Sequence, residues 1–189
     1  MMSKFWFNML LTVLIVTAGC AGGAKMTRNM VKLETSMGDI VIELYPDKAP
    51  ITVKNFLTYV NENAYDETVF HRVINNFMIQ GGGFTSDGKK KETYEPIKLE
   101  SNNGLKNEKG TIAMARTMVP NSATNEFFIN LNDNIFLNQG VRDEGYAVFG
   151  KVVEGMDIID KIGKIQTEIR YDMKDWPTEN IIIKKAKIV

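Results

Sequence analysis

Between residues 31 and 45 apolar side chains alternate with polar or charged ones, first as VKLET and then as DIVIELY, with SMGD between them. Alternation of period two predicts two half-buried strands, and the glycine of SMGD predicts the tight turn of a hairpin. Pro46 and Pro50 end it. In APITVKNFLTYVNENAY the spacing changes: Val53, Phe56, Leu57 and Val60 recur at three and four residues. That is the stripe of an amphipathic helix, with Pro50 suited to its first turn. The next stretch, VFHRVINNFMIQGGGF at 69–84, reads as two short strands, 68–74 and 77–81, around a turn at Asn75 and Asn76. A loop rich in glycine, lysine and asparagine fills 85–109, with IKLE at 97–100 as a strand candidate. GTIAMAR, EFFINL and YAVFGKVV are three further strand runs. Residues 155–162 form a short second helix through Met156, Ile158, Ile159 and Ile162, and ENIIIKKAKIV closes the chain as a long strand.

About eight short strands, two helices and no alternating strand–helix units predict a mainly β fold of antiparallel pairs. Closing the sheet into a barrel removes its exposed edges, and two helices can plug the barrel ends. No repeat and no domain boundary interrupts 31–189.

Composition narrows the chemistry. The chain has 189 residues, enough for one domain with a real core, and its 23 basic side chains equal its 23 acidic ones. No net field draws it onto nucleic acid, and Lys89–Lys91 read as a solvated loop. With one histidine and one cysteine, a Cys/His metal site is excluded, so neither metal nor cofactor is expected. GFTSDGK at 83–89 has the spacing of a phosphate-binding loop. However, Lys90 stands where the Mg²⁺-binding hydroxyl belongs, and no helix follows. No G-x-S-x-G elbow accompanies His71. What remains is chemistry by hydrogen bonding and shape.

The amino terminus is a separate object. MMSKFWFNMLLTVLIVTAGC carries Lys4, an apolar run from Phe5 to about Val16, then Ala18 and Gly19 before Cys20, the layout of a secretory signal over 1–19. Its apolar run is shorter than the roughly 18 residues that span a membrane. Small residues directly before the lone Cys20 resemble the lipobox of bacterial lipoproteins, although Thr17 stands where leucine is usual. That resemblance implies acylation of Cys20, a tether over 20–30, and an exported domain at 31–189 held on the cell-envelope membrane, on its periplasmic or extracytoplasmic face. Removing 1–19 takes away Lys4 and no acid, leaving 22 basic against 23 acidic side chains.

An apolar strand has no structural need for the cation and the amide in VFHRVINNFMIQGGGF. Phe70 alternates with Arg72 and Ile74, so one strand face is expected to hold all three. Phe70 reads as core, His71 as a hydrogen-bonded structural side chain, and Arg72 as functional. The glycines at 81–83 are expected to permit a bend and close backbone approach where the chain leaves the strand.

That stretch, with GTIAMART, NSATNEFFIN and YAVFGKVVEGMDIIDKI, resembles the cyclophilin family of peptidyl-prolyl cis–trans isomerases, its bacterial branch in particular. The likeness covers essentially all of 31–189, in order. It implies a closed eight-stranded antiparallel barrel capped by two α-helices. It also implies rotation about X–Pro bonds in the folding of exported proteins by a monomer that binds proline-containing peptides. By motif, Arg72 matches the catalytic arginine, and Gln80 the amide that orients it or reaches the substrate. Phe77, Met78, Phe128, Phe136, Leu137 and Tyr146 match the proline pocket, and Ala115, Arg116 and Thr117 the strip that binds substrate backbone. Glu126 stands where most relatives have glutamine, and Arg116 where others have asparagine. Glu126 can pair with Arg72 and hold it, engage the donors the substrate needs, or pair with Arg116. The last is preferred, since the two unusual charges then compensate across adjacent strands. A proline-binding module with little catalysis, or an envelope lipoprotein that kept only the fold, are the competing readings.

Overall fold

A computed structural model describes residues 29–189. The leader over 1–19, Cys20 and the tether as far as Arg28 lie outside the described residues. The hairpin comes first, β1 (Met30–Thr35) and β2 (Gly38–Leu44), paired from Met30–Glu43 to Thr35–Gly38. Alternation places Val31, Leu33, Ile40, Ile42 and Leu44 inside and the charged residues outside.

Helix α1 (Pro50–Asn61) starts on its proline, as expected, yet its N-cap Ala49 has no side chain to accept the free amides. Glu100 supplies the missing acceptor from 48 residues away. Its carboxylate accepts from Ile51 N at 3.1 Å, Thr52 N at 2.8 Å and Thr52 Oγ1 at 2.7 Å. An anion there also meets the positive end of the helix dipole. This corrects the strand expected at 97–100: only an isolated bridge, Ile97 to Ala123, forms. The segment is a loop that delivers Glu100 to the helix.

Six more strands complete the barrel: β3 (Thr68–Ile74), β4 (Met78–Thr85), β5 (Thr111–Met114), β6 (Phe127–Asn130), β7 (Val148–Glu154) and β10 (Ile182–Ile188). Around the barrel they run β1-β10-β3-β4-β6-β5-β7-β2, every pair antiparallel. Phe56 of α1 meets Tyr65, Phe127 and Phe149 in the interior with ring centroids 5.1–5.6 Å apart. Helix α2 (Met156–Ile162) adds Ile159 and Ile162 to the same core. Mainly β, eight barrel strands and two helices agree with the sequence-based expectation.

Two features were not expected. Strand β4 does not end at the glycines but stays paired through them to Thr85. A Cβ on Gly81 would lie 2.9 Å from the Phe70 ring, one on Gly82 2.8 Å from Tyr65, and one on Gly83 2.6 Å from Glu126 Cγ. The glycines therefore admit close neighbours, and only Gly82, at φ +87°, also needs the left-handed region. Secondly, β8 (Thr167–Arg170) and β9 (Met173–Pro177) form a separate hairpin lying against β3.

Candidate functional site

The site starts from an irregularity in β3. Phe70 faces Gly81 and Arg72 faces Gln80, so two steps along β3 match one along β4. Such a β-bulge flips the parity of the strand. Phe70 is therefore buried in the barrel core at 1% exposure, whereas Arg72 stands on the outer face with its side chain 41% exposed. The expected alternation of Phe70, Arg72 and Ile74 on one face fails for this reason. Past the bulge the strand is regular: Val73 opposite Ile79 faces inward, and Ile74 opposite Met78 faces the groove.

The outer faces of β4, β5 and β6 form the floor of that groove. Met78, Ala113, Phe128, Leu137 and Val148 make a second apolar cluster there, outside the barrel interior. Above it opens a pocket of about 330 Å³. It is lined by Arg72, Phe77, Met78, Gln80, Ala115, Arg116, Phe128, Phe136, Leu137 and Tyr146, all expected, and by Arg142, which was not. Met78, Phe128 and Leu137 are nearly buried, while Phe136 is 43% exposed and stacks on Phe77 at 5.5 Å. A floor of carbon with an exposed aromatic lip suits a small apolar ring. Nearby, a larger cavity of about 660 Å³ runs between the end of α1 and residues 85–94. Lysines and acids dominate its lining, and no arginine–amide pair faces it.

A short 3₁₀ turn, Ile135–Leu137, carries Phe136 and Leu137. Buried asparagines hold it. Asn134 Nδ2 donates to Phe77 O at 2.8 Å and to Asn130 Oδ1 at 2.7 Å, and Asn130 Nδ2 donates to Thr111 Oγ1 at 2.9 Å. Sequence reasoning missed this network. Its one signal is that FFIN ends an apolar strand on an asparagine, which stays buried only when hydrogen-bonded.

Behind Arg72 lies a relay of side chains. Arg72 Nη1 is 3.5 Å from Gln80 Oε1, and Gln80 Nε2 donates to Glu126 Oε2 at 2.7 Å. Glu126 Oε2 also lies 3.3 Å from His71 Nε2. Burial pushes the Glu126 carboxyl up. The His71 hydrogen bond and charge, the Gln80 hydrogen bond and the Lys90 charge outweigh that and hold it below its ordinary value. His71 is buried between Phe84 and Trp176, at 4.7 and 6.1 Å between ring centroids. Its Nδ1 has no hydrogen-bond partner among the described residues.

The preferred pairing of Glu126 with Arg116 is not formed. Arg116 is fully occupied elsewhere: Nε donates to Gly145 O at 2.8 Å, Nη1 to Thr117 O at 2.9 Å, and Nη2 pairs with Asp143 at 2.7 Å. Its guanidinium lies 4.6 Å from the Tyr146 ring centre. Asp143 is held below the usual carboxylate range by the Gly145 N–H, by the Arg116 charge and by Arg142. A local acid thus balances Arg116, which sequence spacing did not reveal. Thr117 does not line the pocket either. It sits in a turn, with its N and Oγ1 bonded to Ser122 Oγ at 2.9 and 2.8 Å.

Comparison with known proteins agrees with this geometry. The family model described as cyclophilin type peptidyl-prolyl cis-trans isomerase/CLD matches residues 30–188. Peptidyl-prolyl cis-trans isomerase A of Dickeya dadantii is 52% identical over 188 residues, covering 100% of this chain and 99% of that protein. Peptidyl-prolyl cis-trans isomerase B of Escherichia coli is 54% identical over 162 residues, 84% of this chain and 99% of that one. Among solved structures, a Cryptosporidium parvum cyclophilin type isomerase, crystallised in the presence of the dipeptide Ala-Pro, superposes with a TM-score of 0.72 at 28% identity. It covers 85% of this chain and 98% of its own.

Proposed function

The chain belongs to the cyclophilin type peptidyl-prolyl cis–trans isomerase family, and from that premise we propose that its groove rotates X–Pro bonds with Arg72 as the catalytic group. It is a peptidyl-prolyl cis–trans isomerase, and its substrates are proline-containing peptides. The observation that carries the residue assignment is one juxtaposition: Arg72 and Gln80 stand side by side at the wall of an apolar pocket floored by Met78, Phe128 and Leu137.

Rotation about a peptide bond breaks no covalent bond. It crosses a barrier of roughly 18–20 kcal/mol that exists because the nitrogen lone pair is delocalised into the carbonyl. In the twisted state the lone pair returns to nitrogen, where a donor can bind it. A guanidinium held beside the proline ring makes that hydrogen bond only in the twisted state, which is the condition for catalysis by differential binding. Arginine suits the task because it is always charged and its donors lie in a rigid plane. An acceleration of about 10⁵-fold requires about 7 kcal/mol. Such a sum exceeds one hydrogen bond, so the grip of the apolar floor on the ring shares the work. Exchange between cis and trans isomers of a proline peptide, measured by NMR with the purified protein and with its Arg72→Ala variant, tests the assignment. Undiminished exchange in the variant refutes it.

The same proposal extends to location. The leader-like 1–19 and the cysteine after Ala18 and Gly19 support an exported, lipid-anchored isomerase that assists the folding of exported proteins. Two or more acyl chains hold a protein firmly where one does so marginally. Cys20→Ser should therefore move it from the membrane pellet to the soluble fraction or leave an uncleaved precursor. Mass spectrometry finding an unmodified Cys20 in the mature protein would end this part of the reading.

A further inference from the structure

The hairpin that the sequence did not announce places a carboxylate against the groove arginine. Asp175 Oδ2 lies 3.5 Å from Arg72 Nε, while Nη1 faces Gln80 Oε1 at the same distance. Two of the three guanidinium nitrogens are thus engaged from two different elements. Nη2 has no hydrogen-bond partner among the described residues.

Asp175 sits at φ +62° inside a strand. A non-glycine residue is held in the left-handed region only where its surroundings enforce it, and such positions gather at functional sites. Aspartate usually eases this conformation by bonding its own nearby backbone. Here the hydrogen bond of its carboxylate goes to Arg72 instead. The next residue does the enforcing. Trp176 is fully buried, 5.2 Å from the Tyr171 ring and 6.1 Å from His71, the neighbour of Arg72 in β3. Its burial pins β9 onto β3 and turns the preceding side chain towards the groove.

We infer that Asp175 is a positioning residue for Arg72, its strained backbone aiming a carboxylate at Nε so that the guanidinium points its free nitrogen into the pocket. The inference rests on the reading of Arg72 as the catalytic group. Both partners are partly exposed, 41% and 37% for their side chains, so the pair adds little to stability. Its effect is on direction, and a reacting group must be held to within about half an ångström.

The test is steady-state isomerisation of a proline peptide by the full chain and its Asp175→Gly, Asp175→Asn and Arg72→Ala variants, with thermal melting alongside. Glycine removes the carboxylate and relieves the positive φ. Asp175→Gly should therefore melt no lower than the parent while kcat falls about three- to tenfold and KM changes less than about twofold. Asparagine keeps the shape without the charge and should fall between. Its kcat should also lose the salt sensitivity that screening of the ion pair gives the parent. Should Asp175→Gly fold poorly, Asp175→Asn decides alone. Parental kcat in the Asp175 variants beside an inactive Arg72→Ala overturns this inference and spares the reading of Arg72. Full turnover in Arg72→Ala overturns that reading itself. Activity falling only in step with the melting temperature makes Asp175 merely structural, which also overturns the inference.

Discussion

Gln80 donates its side-chain Nε2 to Glu126 Oε2 at 2.7 Å, and this one bond decides which way its amide faces. An ionised carboxylate only accepts and a guanidinium only donates. With Glu126 on one side and Arg72 on the other, Gln80 has a single satisfying orientation, Nε2 to the acid and Oε1 to the arginine. A glutamine at 126 would accept or donate equally well and would relax that constraint. Glu126→Gln is therefore expected to lower kcat/KM about two- to fivefold, since donor–donor repulsion at Arg72 still disfavours the flipped amide. In a Gln80→Ala background the same change should do almost nothing. An equal loss in both backgrounds would show that Glu126 acts otherwise than through Gln80.

Because Arg116 finds its own partners, the double change Glu126→Gln with Arg116→Asn should be additive. Coupling above about 0.5 kcal/mol in kcat/KM would reveal a contact between the two side chains in solution.

Acidity offers an independent probe of the same carboxylate. Its folded-state value lies below its ordinary one, through the His71 and Gln80 contacts and the Lys90 charge that overcome burial. A depressed carboxyl contributes stability that is present above its unfolded value and lost as pH falls through the folded one. Between pH 6 and 8 the contribution should be flat; below the ordinary value of 4.5 it should fade. Denaturant midpoints measured down the acid limb should fall less steeply for Glu126→Gln than for the parent.

At the catalytic position itself, Arg72→Ala is expected to cost at least about tenfold in kcat/KM with stability changed by less than about 1 kcal/mol, because the side chain is partly exposed on the outer face. Arg72→Lys should recover only part, since a single ammonium cannot face Gln80 and Asp175 together. Paired melting and exchange measurements separate the two effects.

Helix α1 borrows its cap, so Glu100→Ala should destabilise the fold by about 1 kcal/mol, as loss of an N-cap does, while the groove keeps its activity. A melting temperature equal to the parent's would show that water replaces the carboxylate without loss.

The barrel was legible in the sequence because hydrophobic periodicity reports which face is buried, and eight strands and two helices follow from it. The pocket residues were legible through motif likeness, since Phe77, Met78, Phe128 and Leu137 are close in space through strand pairing that spacing alone does not state. Other features left no local mark. The bulge at His71 is a property of how β3 meets β4, not of either strand by itself. Hairpin β8–β9 lacks both usual cues: Ile169 is exposed, and its turn uses Tyr171 and Asp172 at positive φ where Asn-Gly is typical. It is held by Trp176, whose burial against β3 is a tertiary fact. Asp175 and the Glu100 cap act across 103 and 48 residues, beyond the reach of any pattern. Arg116 and Glu126 looked complementary as letters, but each had a nearer partner.

The three glycines of β4 also constrain how this sequence can drift over generations. A Cβ on Gly81 would meet the Phe70 ring first and then Val69 O at 3.2 Å, whereas the nearest atoms to one on Gly83 all belong to the Glu126 side chain. A larger residue at 81 becomes acceptable only after position 70 has shrunk or turned away, and likewise at 83 only after 126 has changed. Gly82 carries a further constraint, because its backbone at φ +87° strains any other residue whatever Tyr65 and Phe127 become. Among descendants of this chain, positions 70 and 81 should therefore vary as a couple, and so should 83 and 126, while 82 stays fixed between them. Whatever chemistry occupies 126 in another lineage has its record on the adjoining strand, in the size of the side chain at 83.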